Sequence, residues 1–295
     1  MDPYAWSLNP EALVVVPGLT ASYLFGLRRF PASRARVACF LTAAALVLAV
    51  SVTPIETLAL EYLLTVHLLQ NVVLAEWAPA LAVAGLAPAL AAAAGTNRAV
   101  RAVTRPAVAL AIWTANYMLW HLPWVYDMAL EHRHSVLHVE HLLYFLTGAA
   151  LWWPVLHDAP HRLATGRRAG YLFAAFVLAS PIGLLMALLP EAAYSFYEGA
   201  PERLWGLSPL TDQQIAGVTM TSEQAVVFFA AFAVYFVRFL GEQDTSPEDS
   251  PHVPRTLREC ALFSRSSADS PVCSDPAAPS AARPTPALWR IAARA

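Results

Sequence analysis

Residues 170–190 read Gly-Tyr-Leu-Phe-Ala-Ala-Phe-Val-Leu-Ala-Ser-Pro-Ile-Gly-Leu-Leu-Met-Ala-Leu-Leu-Pro, with no charged side chain in the run. An α-helix rises ~1.5 Å per residue, and about 20 apolar residues cross the hydrocarbon core of a bilayer. The stretch therefore predicts a transmembrane helix. Six others share the pattern, at about 12–27, 37–55, 60–86, 106–126, 136–156 and 214–238. The composition agrees. Of 295 residues, 57% are hydrophobic and 14% charged, whereas a soluble domain carries about 25% charged residues. The expected fold is all-α, a polytopic membrane bundle of seven transmembrane helices within residues 1–240.

The third stretch is irregular, with Glu76 inside it, Pro79 behind, and an Ala-rich continuation to Gly95. It either kinks at Pro79 or continues along the membrane surface. No basic segment precedes the first apolar run, which follows Asp2 and Glu11. That run is expected to stay as a membrane helix rather than leave as a signal peptide.

The connecting loops alternate in charge. Arg28, Arg29, Arg34 and Arg36 lie in the first, Arg98, Arg101 and Arg105 in the third, and Arg162, Arg167 and Arg168 in the fifth; the tail begins at Arg238. The second loop has no arginine, the fourth only Arg133 and the sixth only Arg203. Positive charge gathers on the cytoplasmic side, so the N-terminus is expected outside and the C-terminus in the cytoplasm. Residues 241–295 turn to Ser, Pro, Ala and mixed charge, the composition of a disordered cytoplasmic tail.

Several function classes are excluded. All nineteen basic residues are arginine. Without a lysine amine there is no retinal or pyridoxal Schiff base. The net charge of −2 gives no electrostatic footprint for nucleic acid. Cys39, Cys260 and Cys273 contain no C-x-x-C pair, so they form neither a thiolate cage nor a disulfide framework. His-Glu-x-x-His and Gly-x-Ser-x-Gly motifs are absent.

Orientation converts sequence position into depth. His67 falls ~10 Å below the outer face and Met220 ~9 Å. His121 lies near the outer end of the fourth stretch, and His138 and His141 open the fifth; Met118 and Met186 belong to the same layer, with Asp212, Gln213 and Gln214 just above. His134, His138 and His141 share a face by i, i+4, i+7 spacing, as do His67, Gln70 and Asn71. Ionisable groups inside a bilayer usually face the bundle interior. Imidazole and thioether together suit copper better than calcium or magnesium.

Two other readings stand beside that one. Interfacial histidines also bond lipid headgroups and Met also packs, which suits His132, His134, His157 and His161. His67 with His121 or His141 also has the character of a bis-histidine haem pair. Glu140 is either an orienting partner of an imidazole or an interface carboxylate.

Five segments carry a resemblance: His67-Leu-Leu-Gln70-Asn71 followed by Ala78-Pro79; Trp120-His121-Leu-Pro123-Trp-Val-Tyr126; His138-Val-Glu140-His141 leading to Trp152-Trp153-Pro154-Val155; Tyr194-Ser-Phe-Tyr197; and Asp212-Gln213-Gln214-Ile-Ala-Gly217-Val-Thr-Met220. In this order they resemble the multi-span CtaG family of cytochrome c oxidase assembly factors, over roughly residues 12–240. The resemblance implies a multi-pass protein of the bacterial plasma membrane with no reaction of its own. Such a protein would take Cu(I) from an extracytoplasmic donor and pass it to cytochrome c oxidase subunits. His67, His121, His138, His141 and Met220 match family positions and are the candidate Cu(I) ligands. The family's third-helix pattern is His-x-x-x-His. Here its second position is Asn71, and an amide is a poor copper ligand beside imidazole. The alternatives are a b-type haem or quinone-linked membrane redox protein, and an assembly scaffold that binds no metal.

Overall fold

The structure, a computed structural model, describes residues 2–200 and 202–244. Among these every regular element is helical: α1 (Pro10–Gly26), α2 (Arg34–Val52), α3 (Pro54–Glu61), α4 (Leu64–Val72), α5 (Ala78–Gly85), α6 (Pro88–Ala94), α7 (Arg98–Val103), α8 (Pro106–Trp120), α9 (Pro123–Glu131), α10 (His138–Leu156), α11 (Thr165–Leu188), α12 (Ser195–Glu198) and α13 (Pro209–Asp244). Four helices are long and apolar enough to cross a membrane: Arg34–Val52, Leu64–Gly85, Thr165–Leu188 and Pro209–Asp244. The other expected spans are helical but shorter or more polar. α1 has 17 residues, α8 has 15, and α10 carries His138, Glu140 and His141 in its first turn. Residues 106–126 are not one helix. α8 stops at Trp120, and α9 restarts with Pro123 at its first position, where the missing N–H has no helical partner to lose.

Met1–Leu240 form one compact unit. The expected tail lies outside the described residues, Cys260 and Cys273 included, apart from 241–244, which continue α13.

Pro79 does not break the third stretch. α4 and α5 are joined without interruption by a π-helical turn, Val73–Trp77. Pro79 has no N–H for the carbonyl of Ala75, four residues back, and the wider turn relieves the clash of its ring with that carbonyl. The freed Ala75 carbonyl leans onto α10. A Cβ placed on Gly148 would sit 2.1 Å from the Ala75 oxygen. Only glycine permits this approach, and it presses the His67 helix against the His141 helix. Gly183 and Gly217 do the same for α11 and α13, where a Cβ on Gly217 would come within 2.5 Å of the Gly183 oxygen. Below the polar layer the core is aromatic. Trp113 stacks on Tyr117 at 5.5 Å, and Trp152 lies parallel to Phe228 at 5.7 Å.

At the arginine-rich end, side chains close the free carbonyls that every helix C-terminus leaves. Arg36 Nη1 donates to Ala84 O at 2.8 Å and Leu86 O at 2.7 Å, and Tyr23 OH to Gly85 O at 2.9 Å. His157 Nε2–H donates to Val83 O at 2.9 Å. These bonds fix the end of α5.

Candidate metal centre

His67 lies on α4 because Asp212 holds that helix's start. The Asp212 carboxylate accepts from Leu64 N at 2.7 Å, Thr65 N at 3.1 Å and Thr65 Oγ1 at 2.6 Å. It is an N-cap supplied from α13, satisfying amides that the apolar Leu63 cannot serve. Gln213 ties the α11–α12 loop to α13 by accepting from Ala193 N at 2.6 Å. Asp127 of α9 caps α12 through Ser195 N at 3.1 Å and Phe196 N at 3.3 Å. Two polar residues of the Asp212–Met220 segment and one acidic residue of α9 are thus structural clamps around the histidines.

His67 is fully buried. Its Nδ1 is 2.9 Å from both Tyr197 OH and Tyr126 OH. The Tyr197 hydroxyl also donates to Ala59 O at 2.7 Å, which leaves its oxygen free to accept from Nδ1–H. In that tautomer Nε2 presents a bare lone pair, and it has no partner. The geometry of His121 is less ambiguous. Its Nδ1 sits 2.8 Å from the Tyr117 carbonyl, an acceptor only, so Nδ1 carries the proton and the unpartnered Nε2 does not. A metal-ligating histidine is commonly held in this way. His141 Nε2 is likewise buried without a partner, and its ring meets that of His67 edge-to-face at 6.2 Å between centroids. Burial pushes the Tyr194 and Tyr197 phenols up, so both remain protonated donors at neutral pH.

The five candidate residues divide. His67 and His141 form one pair. His121 and Met220 line a second place, a cavity of about 10 Å³ shared with Asn71, Glu76, Tyr117 and Tyr144. The Met220 thioether accepts from Tyr117 OH at 3.2 Å. His138 is half-buried and faces elsewhere, with its Nε2 3.9 Å from Glu11 Oε2 on α1. His134 is exposed in the π-helical turn Arg133–Leu137, so the expected three-histidine face of the fifth stretch is broken. Met118 points outward, whereas Met186 is buried against Tyr194. Asn71 Nδ2 donates to Glu140 Oε1 at 3.0 Å, and that carboxylate makes no bond to an imidazole. Among the described residues, no group of three or more His, Cys, Asp or Glu side chains could hold a metal ion.

Sequence reasoning missed the tyrosines. Tyr126 and Tyr197 orient His67, while Tyr117 positions both His121 and Met220. Tyr126 and Tyr197 stand in the resembling segments, and that was their only signal.

A family model described as cytochrome c oxidase caa3 assembly factor matches residues 21–242. No curated relative and no solved structure matches the chain. The family match spans the clamps, both histidine-bearing helices and the cavity, and the chain therefore belongs to the cytochrome c oxidase caa3 assembly factors, the Caa3_CtaG family.

Proposed function

We propose that this protein holds Cu(I) near the outer face of the bacterial plasma membrane and passes it to a cytochrome c oxidase subunit docked alongside. One observation carries the reading: His67 and His141, on adjacent helices, each bury an Nε2 with no partner, and their rings lie 6.2 Å apart. A shared ion with metal–nitrogen bonds of about 2 Å needs each Nε2 turned toward it, a rotation of the edge-to-face rings that binding would bring about. A low-coordinate soft ion needs no third carboxylate or thiolate, and a loosely held ion can be handed on. Cu(I) is cargo here, so no reaction is required of the protein itself.

The neighbouring cavity of about 10 Å³ has room for a single small particle. Organic cofactors occupy pockets of roughly 300 Å³ or more, so the packing favours an ion over a porphyrin or quinone. Seven spans with the N-terminus outside follow from the arginine alternation. Lipid contact follows from exposed apolar side chains such as Val226, Phe229 and Val237 on α13.

Metal analysis of protein purified after Cu(I) loading, with a visible spectrum of the same sample, tests this reading. Bound copper with no haem band supports it. Metal-free protein favours the scaffold, and a haem Soret band the b-type redox protein. A reporter active only outside the cytoplasm should work near residue 200 and be silent after residue 240; the reverse would overturn the topology.

A further inference from the structure

The cavity beneath the histidine pair holds a feature that the copper reading leaves unused. Glu76 is completely buried in the π-helical turn, within a helix long and apolar enough to cross a membrane. No arginine or histidine forms an ion pair with it among the described residues. Its Oε1 accepts from Gln224 Nε2 at 3.0 Å, and its carboxyl hydrogen-bonds the Glu223 carboxyl, which requires a proton between the two. Asn71 Oδ1, Tyr144 OH and His121 Nε2 are buried without partners, and these three residues line the same cavity with Glu76 and the Met220 thioether. Unpartnered buried polar atoms are rare in folded proteins. Three around one space leave room for an occupant.

Charge decides which occupant. A negatively charged carboxyl pair buried in hydrocarbon without a basic counter-ion is costly, and so is a bare cation; together they offset each other. The cavity has room for one unhydrated ion and not for a hydrated divalent one. Imidazole and thioether select a soft cation. We propose that this cavity is a second, deeper Cu(I) station, with His121 and Met220 as soft ligands and Glu76 as the anionic ligand that neutralises the ion. The proposal rests on the copper reading. It also gives the transfer route two stations, with His67 and His141 above and the Glu76 cavity below.

The test is equilibrium titration of the full chain in detergent with Cu(I) against a chromogenic Cu(I) chelator, with a thermal melt as the folding control. The parent is expected to hold about two Cu(I), and Glu76→Gln and Met220→Leu about one each. His67→Ala should retain about one, and His67→Ala with Glu76→Gln almost none. Glu76→Gln keeps the shape and the Gln224 bond, and Met220→Leu preserves the fold if the glutamine variant does not. A parent holding about one Cu(I) that only His67→Ala removes would overturn the second station, leave the copper reading intact and return the cavity to a buried water. A parent that holds none would overturn both.

Discussion

The two ends of the bundle treat histidine differently. His157, at the arginine-rich end, donates its Nε2–H to the Val83 carbonyl, and Arg36, Tyr23 and Tyr235 close other backbone carbonyls around it. His67, His121 and His141, at the opposite end, use tyrosines or a backbone carbonyl to orient at most one ring nitrogen and leave Nε2 buried and unpartnered. Burial alone therefore does not distinguish a histidine with a free ring nitrogen from a fully satisfied one. The second nitrogen does. A satisfied ring stabilises the fold by roughly 1 kcal/mol per bond, whereas an unsatisfied one is held at a cost that a ligand can offset.

The sharpest way to break this contrast is to part the two helices that bring the upper pair together. In Gly148→Ala the new methyl meets the Ala75 carbonyl at 2.1 Å, which forces α10 away from the π-helical turn. Overpacking of this kind costs about 1–3 kcal/mol. A lower melting temperature and loss of the copper complement are both expected. Full copper retention would show that the approach of the helices does not define the pair.

Next in size is the direct exchange of one histidine for another. His67→Ala should lower Cu(I) retention by at least ~10-fold. His157→Ala should leave copper unchanged and lower stability by about 1 kcal/mol, the loss of one hydrogen bond to a buried carbonyl. Equal copper loss in both would erase the distinction between the two ends.

A gain of function sharpens it further. Asn71 lies one turn after His67 and bonds Glu140. Asn71→His should raise Cu(I) affinity severalfold, and by more with His67 present than in His67→Ala. Chelator competition on the four members of that cycle reads the coupling. Additive effects would mean that residues 67 and 71 share no ion.

The smallest expected effect concerns a polar group near the outer edge of the histidine end. Burial raises the Glu56 carboxyl to about 7, against hydrogen bonds from Gln70 and Asn9 that lower it. The unfolded chain releases this proton near 4.5 and the folded one near 7. Folding thus favours the protonated form, and stability should fall as pH rises through that window. Glu56→Gln should flatten the dependence of melting temperature on pH between 5 and about 8. An unchanged slope would assign the dependence to another group.

The sequence predicts a polar layer near the outer face. It expects His67, His121, His141 and Met220 at similar heights, because helical rise is constant and arginine placement orients each stretch. The structure divides them between the histidine pair and the cavity. Spacing did not reveal that His138 turns to Glu11. A helix's rotation about its own axis follows from its neighbours, and a π-helical turn ahead of α10 resets the register that the i, i+4, i+7 pattern assumes. The same turn type ahead of Pro79 decided between a kink and a continuous helix, because the outcome depends on whether Gly148 leaves room for the Ala75 carbonyl.

Composition, apolar run length and the ordered segments determined by themselves that this is an all-helical protein of the caa3 assembly factor family. These are local or statistical properties that a chain carries before it folds. Only the tertiary structure decided which nitrogens are satisfied, which tyrosines hold them, and that Glu76 opens onto the same small space as His121 and Met220. Those facts depend on side chains from α4, α8, α10 and α13 meeting at ångström separations. Hydrogen bonding and cavity volume are sensitive to distance on that scale, and sequence position is not.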